Sequence, residues 1–173
     1  MGTVTLITGG ARSGKSAYAL ALAQQARGTR RFFIATAEAL DDEMRERIAH
    51  HRTNRSLDFA TIEEPLAIGA ALSELTNRAD IVVVDCLTLW ISNLLMTHRG
   101  DEEILAQARG LAGAMAGAPF ASIVVTDEVG AGIVPENAMA RRFRDLLGWT
   151  NQALAQTAGR VVLMVAGYPL RVK

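Results

Sequence analysis

The sequence predicts an α/β fold, a doubly wound and mostly parallel sheet with helices on both faces, on the strength of two observations. Short apolar runs rich in β-branched or aromatic residues lie at 4–8, 31–36, 81–85, 122–126 and 161–166, and segments of helical character separate them. The runs are continuously apolar rather than alternating, the pattern of strands covered on both faces, and strands that alternate with helices pair in parallel through crossovers.

Taken in order, the first run, Val4-Thr5-Leu6-Ile7-Thr8, leads straight into glycines. Residues 15–27 carry alanines and leucines without a breaker and read as a helix. After the run at 31–36, residues 41–52 open on Asp41, Asp42 and Glu43 and close on bases, the order that a helix dipole favours. The run at 81–85 ends on Asp85. Residues 99–118 are alanine-rich and read as a helix whose limits Gly110, Gly113 and Gly117 blur. Beyond the run at 122–126, Gly130 and Gly132 suit a flexible flap, and Pro135 is expected to open a helix over 136–158 before the last strand. The plainer reading of 127–137 is a simple strand-to-helix connection. Arg141, Arg142 and Arg144 fall at the start of that helix, where a solvated face is the default expectation.

The chain has 173 residues, half of them hydrophobic, enough for one core and too few for two large domains. No repeat, low-complexity tract or linker divides it, so residues 1–173 read as one domain. Lys plus Arg equals Asp plus Glu at 18 each, so no whole-protein field draws it to nucleic acid or an anionic membrane, and small partners are expected. The lone Cys86 follows an apolar run and reads as a buried, inert thiol. No basic start with a long apolar stretch marks a signal peptide, and no run approaches the roughly 20 apolar residues of a membrane helix, so the expected location is the cytoplasm.

The strongest motif is Gly9-Gly10-Ala11-Arg12-Ser13-Gly14-Lys15-Ser16, set between a strand and a helix as a phosphate-binding loop must be. Glycines let backbone N–H groups turn inward around phosphate oxygens, and the new helix brings its positive end to the same spot. Lys15 supplies a point charge for the β and γ phosphates. Ser16 offers a hydroxyl to Mg²⁺, and Asp85 at a strand end is placed to complete the metal site, although such a residue is also an ordinary strand-end cap. Together these features specify the fold as a P-loop NTPase of the RecA-like kind.

On the helix expected over 41–52, Glu43, Arg47 and His50 share a polar face, whereas His51 is turned by about 100° toward Met44 and Ile48. A neutral imidazole at His50 can attack phosphorus, with Arg47 or Arg52 keeping it neutral. From the residues alone, two exposed histidines ending a helix with no role remain the plainer reading.

Several stretches, taken together, resemble one enzyme family nearly end to end: the phosphate loop from Thr8, Ile34-Ala35-Thr36-Ala37, Leu40 to Met44 continuing to His50-His51-Arg52, Asp85-Cys86-Leu87-Thr88-Leu89-Trp90 with Asn93, and Glu128-Val129-Gly130 with Ile133-Val134-Pro135-Glu136-Asn137, then Arg141, Asn151 and Lys173. The family is that of the bifunctional adenosylcobinamide kinases and adenosylcobinamide-phosphate guanylyltransferases of adenosylcobalamin biosynthesis. The resemblance implies phosphorylation of the aminopropanol hydroxyl of adenosylcobinamide by ATP or GTP. It also implies transfer of GMP from GTP to that phosphate through a covalent guanylyl intermediate on His50, giving adenosylcobinamide-GDP and pyrophosphate. Nucleotide contacts carry over to the phosphate loop, Ile34, Ala35, Thr36, His51, Arg52, Thr53, Asn54, Glu63 and Asp85, and a homotrimer is implied. Two positions depart from the family pattern: Phe59 where tryptophan is frequent, and Asp127 where many members have asparagine.

Two rivals share the phosphate loop. A RecA-like NTP hydrolase would turn over without an acceptor and survive His50→Ala. A non-enzymatic GTP-binding switch would bind tightly without turnover or covalent product.

Overall fold

The structure, a computed structural model, describes residues 2–38, 58–97 and 99–173. The helix expected over 41–52, with His50, His51 and the segment through Asn54, lies outside the described residues.

The strands are β1 (Val4–Gly9), β2 (Arg31–Ala35), β3 (Phe59–Glu63), β4 (Ile81–Asp85), β5 (Ala121–Val125), β6 (Arg160–Val165) and β7 (Tyr168–Arg171). The helices are α1 (Lys15–Gln25), α2 (Ile68–Glu74), α3 (Leu87–Met96), α4 (Asp101–Gly117) and α5 (Ala138–Thr157). The strands form one sheet in the order β3-β2-β4-β5-β1-β6-β7, parallel throughout except for the antiparallel pair β6–β7.

The two-sided burial inferred from the apolar runs is seen residue by residue. In β4, Val82 and Val84 point into a core shared with α2, α3, α4 and α5, while Ile81 and Val83 point into a second core with α1. β1 divides in the same way, Leu6 to one core and Ile7 to the other. Successive side chains of a strand face opposite ways, so a strand buried on both sides has no polar positions to alternate with.

Helix α4 forms over 101–117 despite its glycines. A Cβ at Gly110, Gly113 or Gly117 would meet nothing within 4 Å, so packing does not require them, and Asp101, Glu102 and Glu103 in the first turn favour the dipole. Helix α5 starts later than expected. Asn137 is its N-cap, accepting from the Ala140 amide at 3.1 Å, and Pro135 belongs to the preceding loop. Two strands, β3 and β7, were not evident in the sequence. β3 lies at one edge with most of its residues exposed or half-buried. β7 lies at the other edge, is exposed throughout and contains Pro169, which an edge strand tolerates. Helices α2 and α3 were also missed, the first being short and the second apolar on nearly every side, with no polar face to produce a period.

Candidate nucleotide site

All the parallel strands end on the same side of the sheet, and there the loops after β1, β2, β4 and β5 converge. The helix that follows β1 packs on one face of the sheet and the helix that follows β5 on the other, so the boundary between these neighbouring strands is a switch point of the kind where α/β sheets bind ligands.

The phosphate loop has the backbone its glycines were expected to allow. Gly14 caps α1 in the left-handed region with φ 95°, and Arg12 sits at φ 57°. At Gly9 the requirement is close approach as well as conformation, since φ is 149° and a Cβ would lie 2.6 Å from the Met164 carbonyl oxygen and 2.8 Å from Ser13 Oγ. Gly10, Ala11 and Arg12 are exposed, whereas Ser13 and Lys15 are buried. The Lys15 side chain, only 8% exposed, donates from Nζ to the Gly10 carbonyl at 2.7 Å and pairs with Asp127 Oδ1 at 2.6 Å. Among the described residues, Ser13 Oγ and Thr8 Oγ1 are buried hydroxyls without a hydrogen-bond partner. A loop with an unpaired hydroxyl at Ser13, a buried ammonium and glycines where a side chain would fill the turn fits a chain of phosphates.

Ser16 is half-buried in the first turn of α1, and Asp85 is half-buried at the end of β4, level with Ala35 on one neighbouring strand and Val125 on the other. Among the described residues no group of three or more His, Cys, Asp or Glu could form a metal cage. A hydroxyl and one carboxylate are what a Mg²⁺ shared with phosphate oxygens needs, since that ion keeps several waters and takes few protein ligands.

Thr36 is fully buried, and its hydroxyl both donates to the Cys86 carbonyl at 2.7 Å and accepts from the Cys86 amide at 2.8 Å. It clasps the end of β2 to the end of β4. Asn93 on α3 donates to the carbonyls of Thr36, at 2.8 Å, and Pro65, at 3.1 Å, and Trp90 Nε1 donates to Leu66 at 2.8 Å. Helix α3 thereby ties together the segments that follow β2 and β3. Ile34 is buried in the core, so a ligand contact from it is through the backbone. Glu63 is exposed at the end of β3. Burial, then the charge of Asp85, pushes the Cys86 thiol up to about 12, which makes it the inert group expected.

Sequence reasoning gave no role to Thr88, Asn151 or Asp127, and the structure brings them together beside Lys15. The Asp127 amide donates to Thr88 Oγ1 at 2.8 Å, and its carbonyl accepts from Asn151 Nδ2 at 3.1 Å. Asn151 Oδ1 also accepts from Thr126 Oγ1 at 2.7 Å. Thr88 and Asn151 lie in stretches that carry the family resemblance and Asp127 departs from its pattern, but no local pattern in the sequence brings the three together. Arg141 and Arg144 do not form a plain solvated face. Arg141 donates to the Pro135 and Glu136 carbonyls and Arg144 to that of Gly130, so both brace the loop after Asp127. Arg142 reaches Asp101 and the Arg99 carbonyl. Among the described residues no helix is long and apolar enough to cross a membrane.

Residues 5–172 match the model of a family described as cobinamide kinase / cobinamide phosphate guanyltransferase. The chain is 42% identical over 173 residues to the bifunctional adenosylcobalamin biosynthesis protein CobP of Pseudomonas aeruginosa, covering 97% of this chain and 96% of that protein. It is 38% identical over 180 residues to the corresponding protein CobU of Escherichia coli, covering 97% and 98%, and 37% identical over 180 residues to that of Salmonella typhimurium, with the same coverage.

Proposed function

The chain belongs to the cobinamide kinase / cobinamide phosphate guanyltransferase family, and on that premise we propose that its single domain, residues 1–173, carries out both reactions at the C-terminal edge of the sheet. The substrate of the first step is adenosylcobinamide, whose aminopropanol hydroxyl attacks the γ phosphorus of ATP or GTP. The second step transfers GMP from GTP to the resulting phosphate. The observation that supports this reading best is the phosphate loop, with buried Lys15, the unpaired buried hydroxyl of Ser13 and no room for a side chain at Gly9.

In the kinase step the chain positions and neutralises charge. Backbone amides of residues 10–15 and the Lys15 ammonium hold the β and γ phosphates in line with the acceptor oxygen, and the negative charge moves toward the β–γ bridge as that bond breaks. Ser16 and Asp85 would hold Mg²⁺, which supplies further charge neutralisation on the phosphates. In the second step His50 attacks the α phosphorus of GTP, a P–N bond forms, and pyrophosphate leaves. The phosphate oxygen of the corrinoid then attacks the same phosphorus, the P–N bond breaks, and the imidazole is regenerated with adenosylcobinamide-GDP as product. His51 to Asn54 and Glu63 are assigned to nucleotide contact, and the enzyme to the cytoplasm.

The test is incubation with Mg²⁺ and GTP radiolabelled at the α phosphate, followed by denaturation and peptide mapping. The expected result is an acid-labile, base-stable adduct at His50 that disappears in His50→Ala. Intact GTP binding with no adduct would remove the histidine step, and normal corrinoid phosphorylation by Lys15→Ala would remove the assignment of the loop.

A further inference from the structure

An ammonium group has three donors. At Lys15 one is used by the Gly10 carbonyl at 2.7 Å and another meets Asp127 Oδ1 at 2.6 Å, so a phosphate chain shares this lysine with an anion that belongs to the protein. That anion cannot easily retreat. Parallel pairing of β5 with β1 sets Val125 beside Ile7, which brings residue 127 alongside the phosphate loop. Its amide is fixed on Thr88 and its carbonyl on Asn151, and the next amide, that of Glu128, donates to the Gly9 carbonyl at 3.0 Å. Asp127 is thus pinned on both sides of its Cα, with its carboxylate aimed at Lys15 from a partly buried position where charges interact more strongly than in water.

Two effects oppose each other. The pairing orders the Lys15 ammonium where phosphate is expected, and the same carboxylate repels whatever negative charge arrives. A triphosphate that chelates a divalent cation presents about half the net charge of the bare triphosphate, so the repulsion it meets is about half as large. We propose that Asp127 is a positioning residue that holds Lys15 and sets the preference of the phosphate loop for cation-bound over bare triphosphate. No part of the two-step reaction assigns this role, though it rests on reading the loop as the nucleotide site.

The experiment measures GTP affinity by calorimetry, with Mg²⁺ and with chelator, in the wild type, Asp127→Asn and Lys15→Ala. Asparagine keeps the shape of the side chain and removes its charge. Bare GTP binds Asp127→Asn about tenfold more tightly than wild type, and Mg²⁺-bound GTP, facing half the repulsion, gains about threefold, the square root of that factor. The advantage conferred by Mg²⁺ therefore shrinks about threefold, a ratio that a merely structural role would leave unchanged. An unchanged or larger ratio overturns the inference. Should the amide variant fail to fold, Asp127→Ser, which also lacks the charge, gives the same reading. Wild-type affinity in Lys15→Ala would overturn the nucleotide site itself, whereas lost binding in that variant together with an unchanged ratio in Asp127→Asn overturns only the role given to Asp127.

Discussion

Replacing Thr36 with valine separates a structural clasp from a ligand contact. The Thr36 side chain is 0% exposed, and both of its hydrogen bonds go to the backbone of Cys86. Valine has nearly the same shape but neither donates nor accepts. The Cys86 carbonyl keeps a bond from the Trp90 amide at 3.2 Å, so its loss is that of one ordinary hydrogen bond, about 0.5–1.5 kcal/mol. The Cys86 amide is left buried and unpaired, which costs about 1–3 kcal/mol. The sum, about 1.5–4.5 kcal/mol, corresponds to a fall in Tm of about 3–18 °C for a chain of this length. Thr36→Ser keeps the hydroxyl and deletes one methyl, so it costs about 1 kcal/mol. Urea denaturation followed by tryptophan fluorescence, with calorimetry alongside, measures both variants. A valine variant within about 1 kcal/mol of the wild type refutes the clasp. So does a variant of unchanged stability but weaker nucleotide binding, because that pattern belongs to a side chain that touches the ligand.

Two further perturbations test the site and its surroundings. At Gly9→Ala the new Cβ would meet the Met164 carbonyl at 2.6 Å and Ser13 Oγ at 2.8 Å, so β1 and β6 must separate or the loop must move. The expected cost is about 2–4 kcal/mol of stability with GTP affinity weakened by about tenfold or more, read from denaturation and calorimetry; a variant neutral in both would show that the approach is not tight. At Asp80, hydrogen bonds from the Arg30 guanidinium and then the Arg30 amide hold the carboxyl well below the usual carboxylate range. A lowered folded pKa contributes stability that is complete above the unfolded value and is lost as pH falls through the folded one. The gap in unfolding midpoint between wild type and Asp80→Asn therefore narrows as pH falls from about 5 to about 3, and a gap independent of pH would refute the assignment.

What the sequence determined by itself was whatever short segments of chain can encode. The phosphate loop was legible because its requirements, glycines at the turns, a lysine and a serine at the start of a helix, lie within eight adjacent residues. The central strands were legible because burial on both faces makes each a continuous apolar run, and helix α4 because it is rich in alanine, a strong helix former. The edge strands β3 and β7 were not, since an edge needs only one pairing partner and can be exposed, polar or interrupted by proline. Tertiary structure alone decided which distant residues meet at the site. Thr36 finds Cys86 at a separation of 50 residues, and Lys15 finds Asp127 because β5 lies next to β1 in the sheet. The order of strands in a sheet is set by long-range pairing and the packing of helices across it, and no local pattern of residues carries that information.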